Sequence, residues 1–273
     1  MTLGMKDPRR FWSTINQMNN WGKEHANKTD RIKPATWAKY FRSLLNKDCI
    51  HPPEESLQLN SSNEIKPQTF DPILDRRIEA KELLEAIHQL KSNKAAGPDR
   101  VLVEYNKVFA EIQHDVLLKI VRQIFSKHIY PSVWNLNLLK PIYKKGEADD
   151  PDNFRGLAIG SAFAKRFSVI LLKRLNKYIE DKHLISTRQI GFMKGSRTSD
   201  HIFLLQTIIE KVVRKNKNKL YAVFIDFKKA YDTIDREKRF SRLTALGING
   251  TFLRNIISMY KDTKYNIKLR DGF

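Results

Sequence analysis

Cysteine is almost missing from this chain, with Cys49 the only one among 273 residues. One thiol closes no internal disulfide, so a disulfide-stapled secreted scaffold is excluded and a reducing compartment is expected. The seven histidines are scattered without ligand spacing and make no zinc-site pattern. Long apolar runs are lacking as well. Residues 1–12 are polar and charged rather than a signal core, and no uninterrupted apolar stretch reaches the roughly 20 residues of a membrane span. These absences predict an intracellular, soluble protein of nucleus or cytoplasm, without a membrane partner. Acid is scarce too: 30 Asp and Glu face 50 Lys and Arg, for a net charge of +20.

Such an excess suits a polyanionic partner, because displacing condensed counterions from a phosphate backbone favours basic surfaces. The segment Lys211-Val-Val-Arg214-Lys215-Asn-Lys217-Asn-Lys219 carries five basic residues and no acid. A phosphate-tracking surface explains it, and so does a solvated helix end.

The chain divides into three zones. Residues 1–75 form a basic, aromatic extension and linker. Phe11, Trp12 and Trp21 lie there in Asn-rich surroundings, and His51-Pro-Pro and Asn60-Ser-Ser-Asn read as turns. Trp37, Tyr40, Phe41, Leu44 and Leu45 make one helical face that packs on a neighbour.

Residues 76–197 alternate helices with short strands. Leu83, Leu84, Ile87 and Leu90 predict a helix that stops before Gly97-Pro98-Asp99. From Glu104 to His128, the residues Val108, Phe109, Ile112, Val116, Ile120, Ile124 and Phe125 recur at helical spacing. Leu136 to Tyr143 predicts a strand that Pro141 demotes to an edge. Phe163 to Glu180 predicts a helix with Phe167, Ile170, Leu171, Leu175 and Tyr178 inward.

Residues 198–273 begin with a helix capped by Ser199, its inward face Ile202, Leu205, Ile208, Ile209 and Val212. Helices follow near 236–246 and 251–262. Tyr265 to Arg270 alternates like a strand, and Asp271-Gly272 signals a hairpin turn whose second strand is missing. The mixture predicts an α+β fold rather than a regular parallel sheet.

Chemistry concentrates in Leu220-Tyr-Ala-Val-Phe-Ile-Asp226-Phe-Lys-Lys-Ala-Tyr231-Asp232. Its apolar, β-prone start predicts a buried strand delivering Asp226 to the rim of a sheet, where a divalent metal can use it. An ordinary soluble strand ending in Asp has the same pattern. Gly191-Phe-Met-Lys-Gly195-Ser-Arg lacks the Gly-Lys-Ser/Thr ending of a P-loop, which excludes that reading.

Six words in order carry a resemblance. They are Lys94-Ala-Ala-Gly-Pro-Asp99, Pro141-Ile-Tyr-Lys-Lys-Gly146, Asp152-Asn-Phe-Arg-Gly-Leu-Ala-Ile159, Arg188-Gln-Ile-Gly-Phe192, Lys194-Gly-Ser-Arg-Thr-Ser-Asp200 and Phe224-Ile-Asp-Phe-Lys-Lys-Ala-Tyr-Asp232. Together they resemble the reverse transcriptases of non-LTR (LINE-like) retrotransposons over roughly residues 75–273. Group II intron and telomerase-type polymerases share the palm but match the last two words less well.

The resemblance implies a right-hand polymerase fold, here fingers plus an incomplete palm without a thumb. It implies copying of RNA into DNA with a DNA primer, dNTP and two Mg²⁺ ions in the intact enzyme. Asp226 would be the first metal carboxylate and the Phe227 carbonyl a further ligand. Tyr231 would exclude a ribose 2′-OH, while Lys144, Lys145 and Arg155 would neutralise the triphosphate. Gln189, Gly191 and Phe192 would lie near the template. A charged hairpin loop, a core aromatic and a plain turn are the non-functional readings of these three groups. Asp232 is not expected to bind metal.

The family's second catalytic word, Tyr-Ala-Asp-Asp between apolar strands, is expected downstream of residue 273. Asp149-Asp150 lies in a polar loop and cannot replace it. Arg100 stands where the family usually has Gly, and Gly156 where many members have Pro. The expectation is therefore a fragment with an incomplete metal site, inactive alone. The alternative is a nucleic-acid-binding remnant or co-opted interaction module.

Overall fold

The computed structural model describes residues 28–46, 70–186, 188–193 and 195–269. Phe11, Trp12, Trp21, Cys49, the 51–63 turns and the Asp271-Gly272 turn lie outside the described residues. The helices are α1 (Pro34–Leu45), α2 (Ala80–Gln89), α3 (Val103–Ile112), α4 (His114–Lys127), α5 (Ala162–Asp181), α6 (Thr198–Ile209), α7 (Arg236–Ala245) and α8 (Gly250–Tyr260). The strands are β1 (Leu136–Tyr143), β2 (Phe154–Ile159) and β3 (Lys264–Ile267). This is a mixed α+β architecture, as the sequence predicts. No described helix is long and apolar enough to cross a membrane.

α1 starts on Pro34, whose fixed φ suits the first turn and whose missing N–H would have had no helical partner. Its Trp37, Phe41 and Leu44 are buried, so the aromatic face packs inward. Trp37 stacks on Phe41 with centroids 5.7 Å apart and meets the Phe154 ring edge-on at 4.9 Å. This small core joins α1 to the sheet and includes Leu139 and, at its rim, Tyr265, Ile267 and Leu269.

The larger core gathers α2, α4, α5 and α8 with the segment Leu74–Ile78. α2 opens with Glu82 accepting the Glu79 amide at 3.0 Å, which satisfies an orphan donor of the first turn. Its Leu83, Ala86 and Ile87 are buried, as is Leu90 just beyond it, while Leu84 is exposed. α5 follows its periodicity, with Phe167, Ile170, Leu171 and Tyr178 buried and Leu175 packed beside them.

The stretch 104–128 departs from the single predicted face. It breaks at Gln113 into α3 and α4, and Val108, Phe109, Ile112, Val116 and Ile120 are exposed. Ile124 and Phe125 are buried as their spacing suggests, but their companions are Leu117, Leu118 and Val121. The break rotates the second helix, so one periodicity read across both cannot describe either.

β1 is central, not an edge, in the order β2-β1-β3. It pairs antiparallel with β2 from Leu138↔Ile159 to Tyr143↔Phe154 and parallel with β3 from Leu136↔Lys264 to Leu139↔Ile267. Pro141 is tolerated because the β3 register ends two residues before it, leaving no ladder there for a missing N–H to break.

The largest correction concerns residues 220–226. They form no strand and pair with none of the described strands, and Val223, Phe224 and Ile225 are 86, 82 and 80% exposed. β-propensity makes a segment able to pair; a strand also needs a neighbour to bond with. α6 is similar: no residue in it is buried, so its predicted inward face has no described cover. Its N-terminus is closed not by Ser199 but by Asp200, whose carboxylate accepts the Arg197 amide at 2.7 Å.

Candidate functional site

Three structural units carry the predicted site residues. The first is the β1–β2 hairpin, whose turn is wired by its own hydrogen bonds. Lys144 N donates to Asn153 O at 2.9 Å, Asn153 Nδ2 to Glu147 O at 2.9 Å, and Tyr143 OH to Gly146 O. This bracing leaves Lys144 and Lys145 exposed on the turn and Arg155 exposed on β2, opposite Ile142. Cations held on a fixed hairpin can meet an anion without reorganising.

The second unit is the turn after Asp226. Asp226 is exposed at the end of the unpaired segment rather than at a sheet rim, and Phe227 is 77% exposed. At Lys229 the backbone turns into the left-handed region, φ +51°. The Lys229 carbonyl then accepts from Asp232 N at 2.9 Å and Thr233 Oγ1 at 3.1 Å. Both lysines reach Asp152 of the hairpin: Lys228 Nζ to Oδ2 at 3.0 Å and Lys229 Nζ to Oδ1 at 2.7 Å. Tyr40 of α1 donates to the same Oδ1 at 3.0 Å, and the Lys229 ammonium lies 4.6 Å above its ring. Burial among these groups lowers the Lys229 pKa, partly offset by Asp232.

The third unit is the loop 188–193. Gln189 Nε2 donates to Gly191 O at 3.3 Å, and a Cβ on Gly191 would meet nothing within 4 Å. Phe192 leaves the loop to meet Tyr231 edge-on, centroids 6.4 Å apart. Two residues predicted separately are therefore neighbours, which the sequence could not indicate.

A cleft of about 660 Å³ opens beside Tyr231, between the 90–103 loop, the start of α5, α7 and α8. Lys91, Lys94, Lys165, Arg236 and Arg239 face Asp232 there, five bases to one acid. None of the five was singled out as a site residue from the sequence, since they come from three separate segments. Arg239 lies 4.0 Å over the Tyr260 ring, and its Nε and Nη2 are buried without a protein partner. Burial pushes the Tyr130 phenol up to about 12, so it lines the cleft as a neutral donor. Gly97 has a steric reason at this wall. A Cβ on it would stand 2.6 Å from Gly160 O and 2.8 Å from Ser161 N, so the Gly-Pro-Asp word packs backbone on backbone.

Two Mg²⁺ ions need several converging oxygen donors. Among the described residues no group of three or more His, Cys, Asp or Glu side chains is gathered to hold a metal. Asp226 and the Phe227 carbonyl are fewer donors than an ion pair requires, so these residues do not by themselves fit it.

Comparison with known proteins bears on this arrangement. Residues 142–272, which contain the hairpin cations, Asp226 and Tyr231, match the family model described as reverse transcriptase (RNA-dependent DNA polymerase). The chain is 24% identical over 203 residues to a probable RNA-directed DNA polymerase from transposon BS of Drosophila melanogaster, covering 74% of this chain and 22% of that protein. It is 29% identical over 143 residues to a retrovirus-related Pol polyprotein from type-1 retrotransposable element R2 of Popillia japonica, covering 52% and 19%. A transposon TX1 uncharacterized 149 kDa protein of Xenopus laevis is 21% identical over 230 residues, covering 84% and 17%. The chain spans about a fifth of the length of these relatives. With the hairpin cations, the Asp226 word and Tyr231 falling in order inside one matched segment, residues 142–272 resemble the reverse transcriptase family, and the chain is similar to RNA-directed DNA polymerases of non-LTR retrotransposons.

Proposed function

We propose that this chain supplies the fingers-like region (76–197) and part of the palm (198–273) of an RNA-directed DNA polymerase in a right-hand fold. Its substrates would be an RNA template, a DNA primer and dNTP. The observation that carries the reading is the family match over 142–272, which spans Lys144, Lys145, Arg155, Asp226 and Tyr231 in one segment.

The roles follow from residue chemistry. Lys144, Lys145 and Arg155 would neutralise the triphosphate from their braced hairpin. Tyr231, backed by Phe192, would crowd a ribose 2′-OH, while Gln189 and Gly191 would border the template. Asp226 and the Phe227 carbonyl would give a share of the ligands of two Mg²⁺ ions, which supply charge neutralisation in nucleotidyl transfer. Among the described residues that share is incomplete. Residues 1–273 alone are therefore proposed to be inactive in primer extension.

Photo-crosslinking with an azido-dATP tests the pocket. Labelling should be competed better by dATP than by ATP, and Tyr231→Ala should erase that preference. Equal competition by both nucleotides would defeat the polymerase pocket. Salt-sensitive RNA binding unchanged by Asp226→Asn would then favour a nucleic-acid-binding module, for which the charge of +20 is the supporting observation.

A further inference from the structure

Two lysines follow Asp226 within three residues, close enough in sequence to fold back and neutralise it. In the structure neither does. Among the described residues Asp226 forms no ion pair, and both ammonium groups are drawn onto one carboxylate 74 residues upstream of it, Asp152. Lys229 is the inner of the two, its side chain 17% exposed against 79% for Lys228.

The Asp152 side is equally prepared. Asp152 sits in the short turn just before β2, where the Asp150 carboxylate accepts the Asp152 amide at 2.9 Å. Tyr40 donates to Asp152 Oδ1 and places its ring against the Lys229 ammonium, which ties α1 into the same cluster. Lys229 also sits at the left-handed backbone position, and its carbonyl organises Asp232 and Thr233. Fixing its side chain thus fixes the turn that carries Tyr231 toward Phe192.

On these contacts we infer that Asp152 is a positioning residue: it clamps the turn Asp226–Thr233 to the hairpin through Lys228 and Lys229, with Tyr40 as the brace. The clamp does two things. It orients Tyr231, and it holds two nearby cations away from Asp226. Asp152 touches no reacting group and acts only through the lysines.

Amide hydrogen exchange on the 273-residue chain tests this without nucleotide or metal, so its outcome is separate from that of the crosslinking experiment. Asp152→Asn should raise exchange in residues 226–233 by about three- to tenfold, the range expected for losing partly exposed ion pairs. Exchange in α5 should not change. Asp152→Glu, which keeps the charge, should stay close to wild type. Lys228→Gln with Lys229→Gln should loosen the turn similarly, and adding Asp152→Asn to that pair should add nothing. Unchanged exchange in Asp152→Asn, equal loosening by Asp152→Glu, or additive effects in the triple variant would each overturn the inference.

Discussion

Arg174 is the residue whose loss should be felt most, although it lies far from the proposed chemistry. Its side chain is 2% exposed on α5. Nε and Nη2 donate to the two oxygens of Glu82 at 2.9 and 2.8 Å, a fork that lysine cannot reproduce. Nη1 donates to Leu74 O at 3.0 Å and Arg76 O at 2.6 Å, and the guanidinium lies 5.0 Å from the Phe125 ring. Arg174→Met keeps the apolar stem but leaves two carbonyls without their donor and the half-buried Glu82 carboxylate with Arg76, 3.3 Å away, as its remaining cation. Breaking a buried pair from one side costs about 3–5 kcal/mol, a large part of the roughly 5–15 kcal/mol that holds a domain folded. Adding Glu82→Gln removes the stranded charge and should recover about 1–2 kcal/mol. Urea unfolding followed by tryptophan fluorescence measures both, since Trp134 packs near Phe167 on the same helix. A single variant that loses under about 1 kcal/mol, or a double variant no milder than the single, would refute this account.

Burial alone would raise the Glu82 pKa, but bonds from Arg174 and the Glu79 amide, with the charges of Arg174 and Arg76, hold it below the ordinary 4.5. Its stabilisation is then complete above the unfolded pKa and lost as pH falls through the folded value, so stability should drop below about pH 4.5. Glu82→Gln should flatten that acid limb in urea midpoints measured from pH 6 to 3. Asp75 accepts the Phe252 amide at 2.8 Å, so a carboxylate 177 residues away caps the first turn of α8. Asp75→Ala should cost about 1–2 kcal/mol in thermal unfolding, and an unchanged Tm would deny the cap. Ile225→Asp should change the stability of this chain by under about 0.5 kcal/mol, because the side chain already faces solvent. It should also reduce aggregation measured by light scattering, since an exposed, unpaired apolar segment with β-propensity invites edge pairing.

What was legible in the sequence was local. α1, α2, α5 and β1 lie where periodicity and capping residues place them, because their buried positions recur within a few residues of one another. Longer-range pairings left no trace. The Arg174 carbonyl partners are 98 and 100 residues away, and Asp75 reaches 177 residues forward. Asn255 is fully buried only because it bonds the end of α4, where it donates to Phe125 O at 2.8 Å. For the site, the hairpin cations and Tyr231 were readable as residue types in ordered words. The meeting of Tyr231 with Phe192, the five cleft bases and the Asp152 cluster arise from tertiary contact. The 220–226 segment was misplaced for a related reason: its composition states a preference for pairing and says nothing of whether a partner is at hand.

The parallel seating of β3 on β1 has a temporal side. Tyr265, Ile267 and Leu269 close the rim of the core under α1, yet a ribosome makes them some 220 residues after Leu44. At about 5–20 residues per second, that interval is on the order of ten to fifty seconds. Through it the aromatic ridge of the first helix has only the hairpin for shelter, so a nascent chain stalled before residue 264 should engage holdase chaperones through that ridge.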